Sequence, residues 1–317
     1  MDDPLCSRQP ADANPPQDAR ARRYYLRRAI RRGETKNMAS GSVHPEKAAT
    51  RIFIPREHGA TAMLLTPFFA AAILLRNAYW QEFIALVAIT AAFLTKDPLV
   101  VIARQRFVWK QEHTETGSAR RALTVLGTLL LGCGLALMRT SDWHSWIPFV
   151  LGSAGFSAVA VVMTVRNEQR HEWFQVASAA ALSSTCLVAC LSAIGRIPGW
   201  CWLLWIFCTL QAIAGIFVVH ARLDARIAAR TRVTASTQNR RAAYIAQGVL
   251  VAGGIVCAVL QWFWIAAALI LTAACYLLEL RRQRDPVALQ ERLQRVGLRA
   301  LLQSVAYTLI IVVGLWR

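Results

Sequence analysis

Three short charged clusters stand beside long apolar stretches, and they hold the side chains in this sequence best suited to chemistry. An ionised or polar group next to hydrocarbon is costly, so each is a site candidate until a partner is found for it. The first cluster is Pro55-Arg56-Glu57-His58-Gly59-Ala60. Pro55 suits the first turn of a helix, where its missing N–H would go unpaired anyway. Glu57 complements the positive end of the helix dipole. Those roles explain His58 and Gly59 less well, which makes Glu57 and His58 candidates for function. The second cluster is Thr95-Lys96-Asp97-Pro98 with Arg104 and Arg106. Lys96 and Asp97 form either a neutralised pair or part of a charged rim facing a cavity, and Pro98 is expected to kink its helix. The third runs from His220 through Arg222 and Asp224 to Arg226. His220 and Asp224 share one helix face, and Arg222, Arg226 and Arg230 share another. Such an arginine ladder can touch lipid headgroups or hold the phosphates of a ligand. The headgroup role suits Arg230 and Arg232, and the ligand role suits Arg222 and Asp224. Gln211, Gln247, Glu279 and Gln303 are isolated inside apolar stretches, where such groups more often bond to neighbouring helices.

The elements that position these clusters are set by composition. The chain has 317 residues, is 56% hydrophobic and 17% charged, and has a mean hydropathy of +0.37. Crossing a hydrocarbon core of about 30 Å takes about 20 apolar helical residues. Lipid offers no partner to backbone N–H and C=O, so each crossing is a helix or part of a closed barrel. The apolar runs here are too long and too continuous for barrel strands of about ten alternating residues. The expected fold is an all-α polytopic membrane protein with nine spans, at about 58–76, 82–102, 122–138, 146–165, 173–194, 200–220, 242–260, 262–280 and 300–316. Residues 1–50 are polar, basic and proline-bearing, and are expected to be a disordered tail. Met38 lies within it as an alternative start. The remainder, 51–317, is one transmembrane domain.

Counting Lys and Arg between spans orients the chain. Nineteen fall in the loops after spans two, four, six and eight, against Arg76, Arg139 and Arg196 in the alternate loops. Basic loops stay in the cytoplasm, so the N-terminus is expected inside and the C-terminus outside a cell membrane. Nine of the eleven tryptophans lie at the span ends assigned outside, where interfacial rings collect. This bias also accounts for the net charge of +18 without a nucleic-acid partner. The eight cysteines form no C-x-x-C pair and are read as reduced packing residues. Phosphate-binding G-x-x-x-x-G-K, dinucleotide G-x-G-x-x-G and zinc H-E-x-x-H motifs are absent, which removes the commonest soluble-enzyme chemistries.

The string Pro55-Arg56-Glu57-His58-Gly59-Ala60-Thr61-Ala62-Met63-Leu64 resembles the opening motif of the YwiC-like bacterial membrane protein family, with Thr61 where that family tends to have Trp. Lys96-Asp97-Pro98 and Arg295-Val296-Gly297-Leu298 fit the same resemblance, which covers about 55–317. In topology the chain is also similar to UbiA-type intramembrane prenyltransferases. Their two four-helix halves each carry an Asp-rich motif that holds magnesium bridged to a prenyl diphosphate. That similarity implies metal positions at Asp97 and Asp224, four spans apart. It implies a substrate rim of Lys96, Asp97, Arg104, His220, Arg222, Asp224 and Arg226, with Glu57 or His58 as the acid–base group. The motif is degenerate here, because Val100 and Arg104 stand where further Asp residues belong. The basic side chains could instead neutralise a diphosphate directly.

Three functions follow. The first is a prenyltransferase-like enzyme acting on an isoprenoid or other lipid diphosphate. The second is a non-catalytic protein binding a lipid or a quinone-type cofactor. The third is a small-molecule transporter, which the scarcity of ionisable groups in spans three to five and seven disfavours.

Overall fold

Every apolar run becomes a helix, since a helix satisfies its own backbone where no water can. The computed structural model describes residues 58–111, 115–139, 142–169, 171–231, 237–291 and 293–316. The tail at 1–50 with Met38, the residues Pro55 to Glu57, Arg170 and Arg232 lie outside the described residues.

The helices are α1 (His58–Leu75), α2 (Trp80–Arg104), α3 (Glu115–Met138), α4 (Trp143–Val165), α5 (Glu172–Ser183), α6 (Thr185–Ile194), α7 (Gly199–Thr231), α8 (Thr237–Val259), α9 (Phe263–Arg282), α10 (Pro286–Leu289) and α11 (Leu293–Leu315). One π-helical turn, Gln105–Trp109, prolongs α2. Among the described residues eight segments are long and apolar enough to cross a membrane, with α5 and α6 counted as one, and α1 is a shorter apolar helix. The protein is thus a polytopic all-α membrane protein whose helices overlap each of the nine expected spans.

Its surface is apolar, as a lipid-facing surface must be: Leu131, Leu151, Ile245 and Val259 are all more than 60% exposed. Helix α7 is the hub. It packs against α8, α5, α9, α6, α1 and α11, while α1 lies against α6, α11 and α5. Helices α3 and α4 pack chiefly on α2. With 33 residues, α7 is about 50 Å long and outruns a hydrocarbon core of about 30 Å.

Two local features set the interior. The fifth span is broken at Ser184, and the residues there satisfy the break themselves. Ser184 Oγ donates to Ala181 O at 2.7 Å, Thr185 Oγ1 to Leu182 O at 3.1 Å, and Cys186 Sγ to Ser183 O at 3.2 Å. Thr185 Oγ1 also reaches Leu64 O on α1 at 2.7 Å, one turn before Pro67. Trp205 Nε1 donates to Ala180 O at 2.9 Å. Helix α2 continues through Pro98, whose ring is fully buried. At the opposite face of the bundle Asp142 caps α4 by accepting from His144 N at 3.2 Å. The His144 side chain bonded to it holds its carboxyl below the usual range.

Candidate functional site

Successive spans alternate in direction, so α2, α4, α7 and α9 end at one face of the bundle, where α1, α3, α5, α8 and α11 begin. The second and third charged clusters of the sequence, and the start of α1 at His58, belong to this face, called the rim face below. From it a cavity of about 2600 Å³ runs between the helices, well above the roughly 300–1,000 Å³ of ordinary small-molecule sites. Its walls are apolar, with Ala85, Ile89 and Phe93 of α2, Leu182 of α5, Val188 of α6 and Ala212 of α7 among the lining. At the far end Leu137 and Met138 of α3 and Trp146 and Phe149 of α4 line it. Gly59 and Ala60, at the start of α1, line it as well.

The rim end is charged. Among the described residues Lys96, Arg222, Arg282 and Arg299 line it, against one lining carboxylate, Glu279. Arg222 is 4% exposed. Its Nη1 donates to Glu279 Oε1, and its Nη2 donates to Ala288 O of α10 at 2.8 Å. Gln283 Nε2 donates to Val218 O at 3.2 Å, and Arg299 grips Glu291 through two bonds at 3.0 and 2.5 Å. These bonds fasten the α9–α11 connection, including α10, beside the cavity.

Of the charged-cluster candidates with described side chains, Lys96 and Arg222 line this cavity, while Asp97, Arg104, His220, Asp224 and Arg226 do not. His220 Nε2 lies 2.7 Å from Gln175 Oε1, and Gln175 is itself a lining residue, so His220 stands one side chain back. Asp224 accepts from Asn239 Nδ2 of α8 at 2.5 Å. Arg104 Nη2 donates to Thr164 O at 3.0 Å and to Asn167 Oδ1 at 3.3 Å. Arg226 is half-buried one turn beyond Arg222, and Asp97 is half-buried beside Lys96. Helical geometry explains the split: residues two apart are about 200° around the axis, so Arg222 faces the cavity while Asp224 faces α8. His58 is the first residue of α1, and Glu57 lies outside the described residues.

Two carboxylates off the cavity wall do not fit a magnesium–diphosphate clamp, which takes carboxylates, waters and phosphate together. Among the described residues no group of three or more His, Cys, Asp or Glu side chains is placed to hold a metal ion. The cavity instead offers cations directly.

Sequence reasoning missed Tyr276. Gln211 Nε2 donates to Tyr276 Oη at 3.0 Å, and Ser304 Oγ donates to Gln211 Oε1 at 3.4 Å. All three line the cavity. The available signal was a phenol inside an apolar span, which needs a polar partner there. Glu279, read as an interhelical partner, does bond across helices, to Arg222.

No curated protein and no solved structure matches the chain. Against the resemblance read over 55–317, residues 54–190, from just before α1 to Cys190 on α6, match the model of the family described as YwiC-like protein.

Proposed function

We propose that this membrane protein binds a single lipid with a phosphate or diphosphate head. The tail lies along the cavity and the head sits at the rim face. The observation that carries this reading is the division of one cavity into an apolar body and a rim end where, among the described residues, four cations face one carboxylate. An apolar tail gains little by exchanging bilayer hydrocarbon for an apolar cavity, so binding turns on the anionic head, which Lys96 and Arg222 can neutralise by charge-assisted hydrogen bonds. Cations replace the metal in this reading. The prenyltransferase-like alternative needs Asp97 and Asp224 to face the same head, and the partners of Asp224 draw it away.

The test is lipid mass spectrometry on the purified protein. A phosphate- or diphosphate-bearing lipid is expected to co-purify, and Lys96→Glu is expected to lower its occupancy about tenfold, the worth of one charge-assisted bond. Lipid-free protein, or equal occupancy in the variant, overturns the reading.

We also infer that the rim face is cytoplasmic and that the protein spans a cell membrane with its N-terminus inside. The support is the excess of Lys and Arg in the loops of that face, the side on which basic loops stay. A periplasm-active reporter should work when fused after Arg139, Arg196 and Arg317 and stay silent after Arg121, Arg232 and Arg284. A reversed result at any of these sites refutes the orientation.

A further inference from the structure

We propose that the middle of the cavity holds a second, neutral recognition point, in which the Tyr276 hydroxyl donates to the carbonyl oxygen of an acyl ester; the lipid is then an anionic acyl-ester lipid and not an isoprenyl one. This rests on the lipid-binding reading above and narrows its ligand class.

The argument is an accounting of donors. Tyr276 lies on α9 and is only 5% exposed, yet it lines the cavity. Its oxygen already accepts from Gln211 Nε2 at 3.0 Å, and Gln211 Oε1 accepts from Ser304 Oγ at 3.4 Å. A phenol both accepts and donates, so its own proton is still to be placed, and no described residue accepts it. A donor left unmet inside a span is costly. Gly215 on α7 makes room for the group: a Cβ there would lie 2.8 Å from Tyr276 Oη. Gly215 and Tyr276 both line the cavity, so the hydroxyl packs over Gly215 at the cavity wall.

Depth then selects the ligand. Gly215 and Arg222 are seven residues apart on α7, about 10 Å of helical rise. Helical side chains lean toward the N-terminus, which brings the Arg222 head nearer to Tyr276. A glycerolipid places its ester carbonyls a few bonds below its phosphate, in that interval. An isoprenyl phosphate has only hydrocarbon there and leaves the phenol proton unmet.

The experiment compares three probes on the purified full chain by native mass spectrometry: a diacyl phosphatidate, its dialkyl ether analogue with the same head and chain length, and a polyprenyl phosphate. The ester lipid is expected to bind the wild type about fivefold more tightly than the ether lipid, the worth of one neutral hydrogen bond. Tyr276→Phe is expected to bring the ester down to the ether level and leave the ether unchanged. Equal binding of ester and ether by the wild type, a comparison that needs no variant, overturns the proposal. So does a polyprenyl phosphate that binds as tightly as the ester. If none of the three binds, the lipid-binding reading itself falls, and this proposal with it.

Discussion

Arg222→Leu is expected to cost the protein roughly 3 kcal/mol, while Arg222→Leu combined with Glu279→Leu recovers most of that loss. Removing one member of a buried ion pair strands the other, at about 3–5 kcal/mol, whereas replacing both with apolar groups is often neutral. The Arg222 side chain is 5% exposed and that of Glu279 is 19% exposed, so partial solvation of Glu279 favours the lower end of that range. In a domain of this size the loss corresponds to roughly 6 °C in the apparent melting temperature, read in detergent for wild type, both single variants and the double. Arg222 also donates to Ala288 O at 2.8 Å, so α10 should lose hydrogen-exchange protection in the single variant and stay unprotected in the double. A single variant within about 1 kcal/mol of wild type would show that the pair does not hold the rim together.

The spans were legible because lipid leaves an apolar run of about 20 residues little choice but a helix. Their rim ends were not. The expected span at 200–220 continues to Thr231, and that at 122–138 begins at Glu115. Hydropathy stops at the first charge, but the helix does not, because Arg and Lys extend their stems along the membrane edge and keep their heads in water. The break at Ser184 was equally hidden. Its signal is Ser184-Thr185-Cys186, three side chains that each bond a carbonyl three residues back, and such residues sit as readily on unbroken helices.

The site was half legible for a related reason. Spacing showed that Arg222 and Asp224 were near one another in sequence, and the charged rim made both candidates. It put them on different helix faces, about 200° apart, but could not show that the Arg222 face meets the cavity and the Asp224 face meets Asn239 on α8. Lys96 reached the cavity on the same terms. Tyr276 and Gln211 share no sequence pattern, since they lie on α9 and α7, 65 positions apart. Only the packing of α7 on α9 brings them together.

That packing depends in turn on α8, which lies against both α7 and α9, and the second large effect is expected there. A Cβ on Gly254 would stand 2.7 Å from Ile270 Cγ1 and 3.3 Å from the backbone oxygen of Ala266. The side chain could swing aside, but the carbonyl of an α9 turn cannot. Gly254→Val should therefore force α8 and α9 apart and destabilise the fold by about 3 kcal/mol, the upper end for overpacking. In lipid the loss is not softened by a hydrophobic drive to re-associate, because helix contact there is mainly van der Waals fit. Gly248 supplies the control, being on the same helix, exposed, and with nothing within 4 Å of its added Cβ. Gly248→Val should leave the melting temperature close to wild type, since a β-branched residue replaces one of still lower helix propensity. Both variants are to be measured side by side in the same detergent. Similar stability for the two would mean that α8 and α9 are not held by close approach at Gly254. A loss confined to Gly254→Val, together with weaker retention of the co-purifying lipid, would tie the α8–α9 contact to the cavity wall that Tyr276 forms.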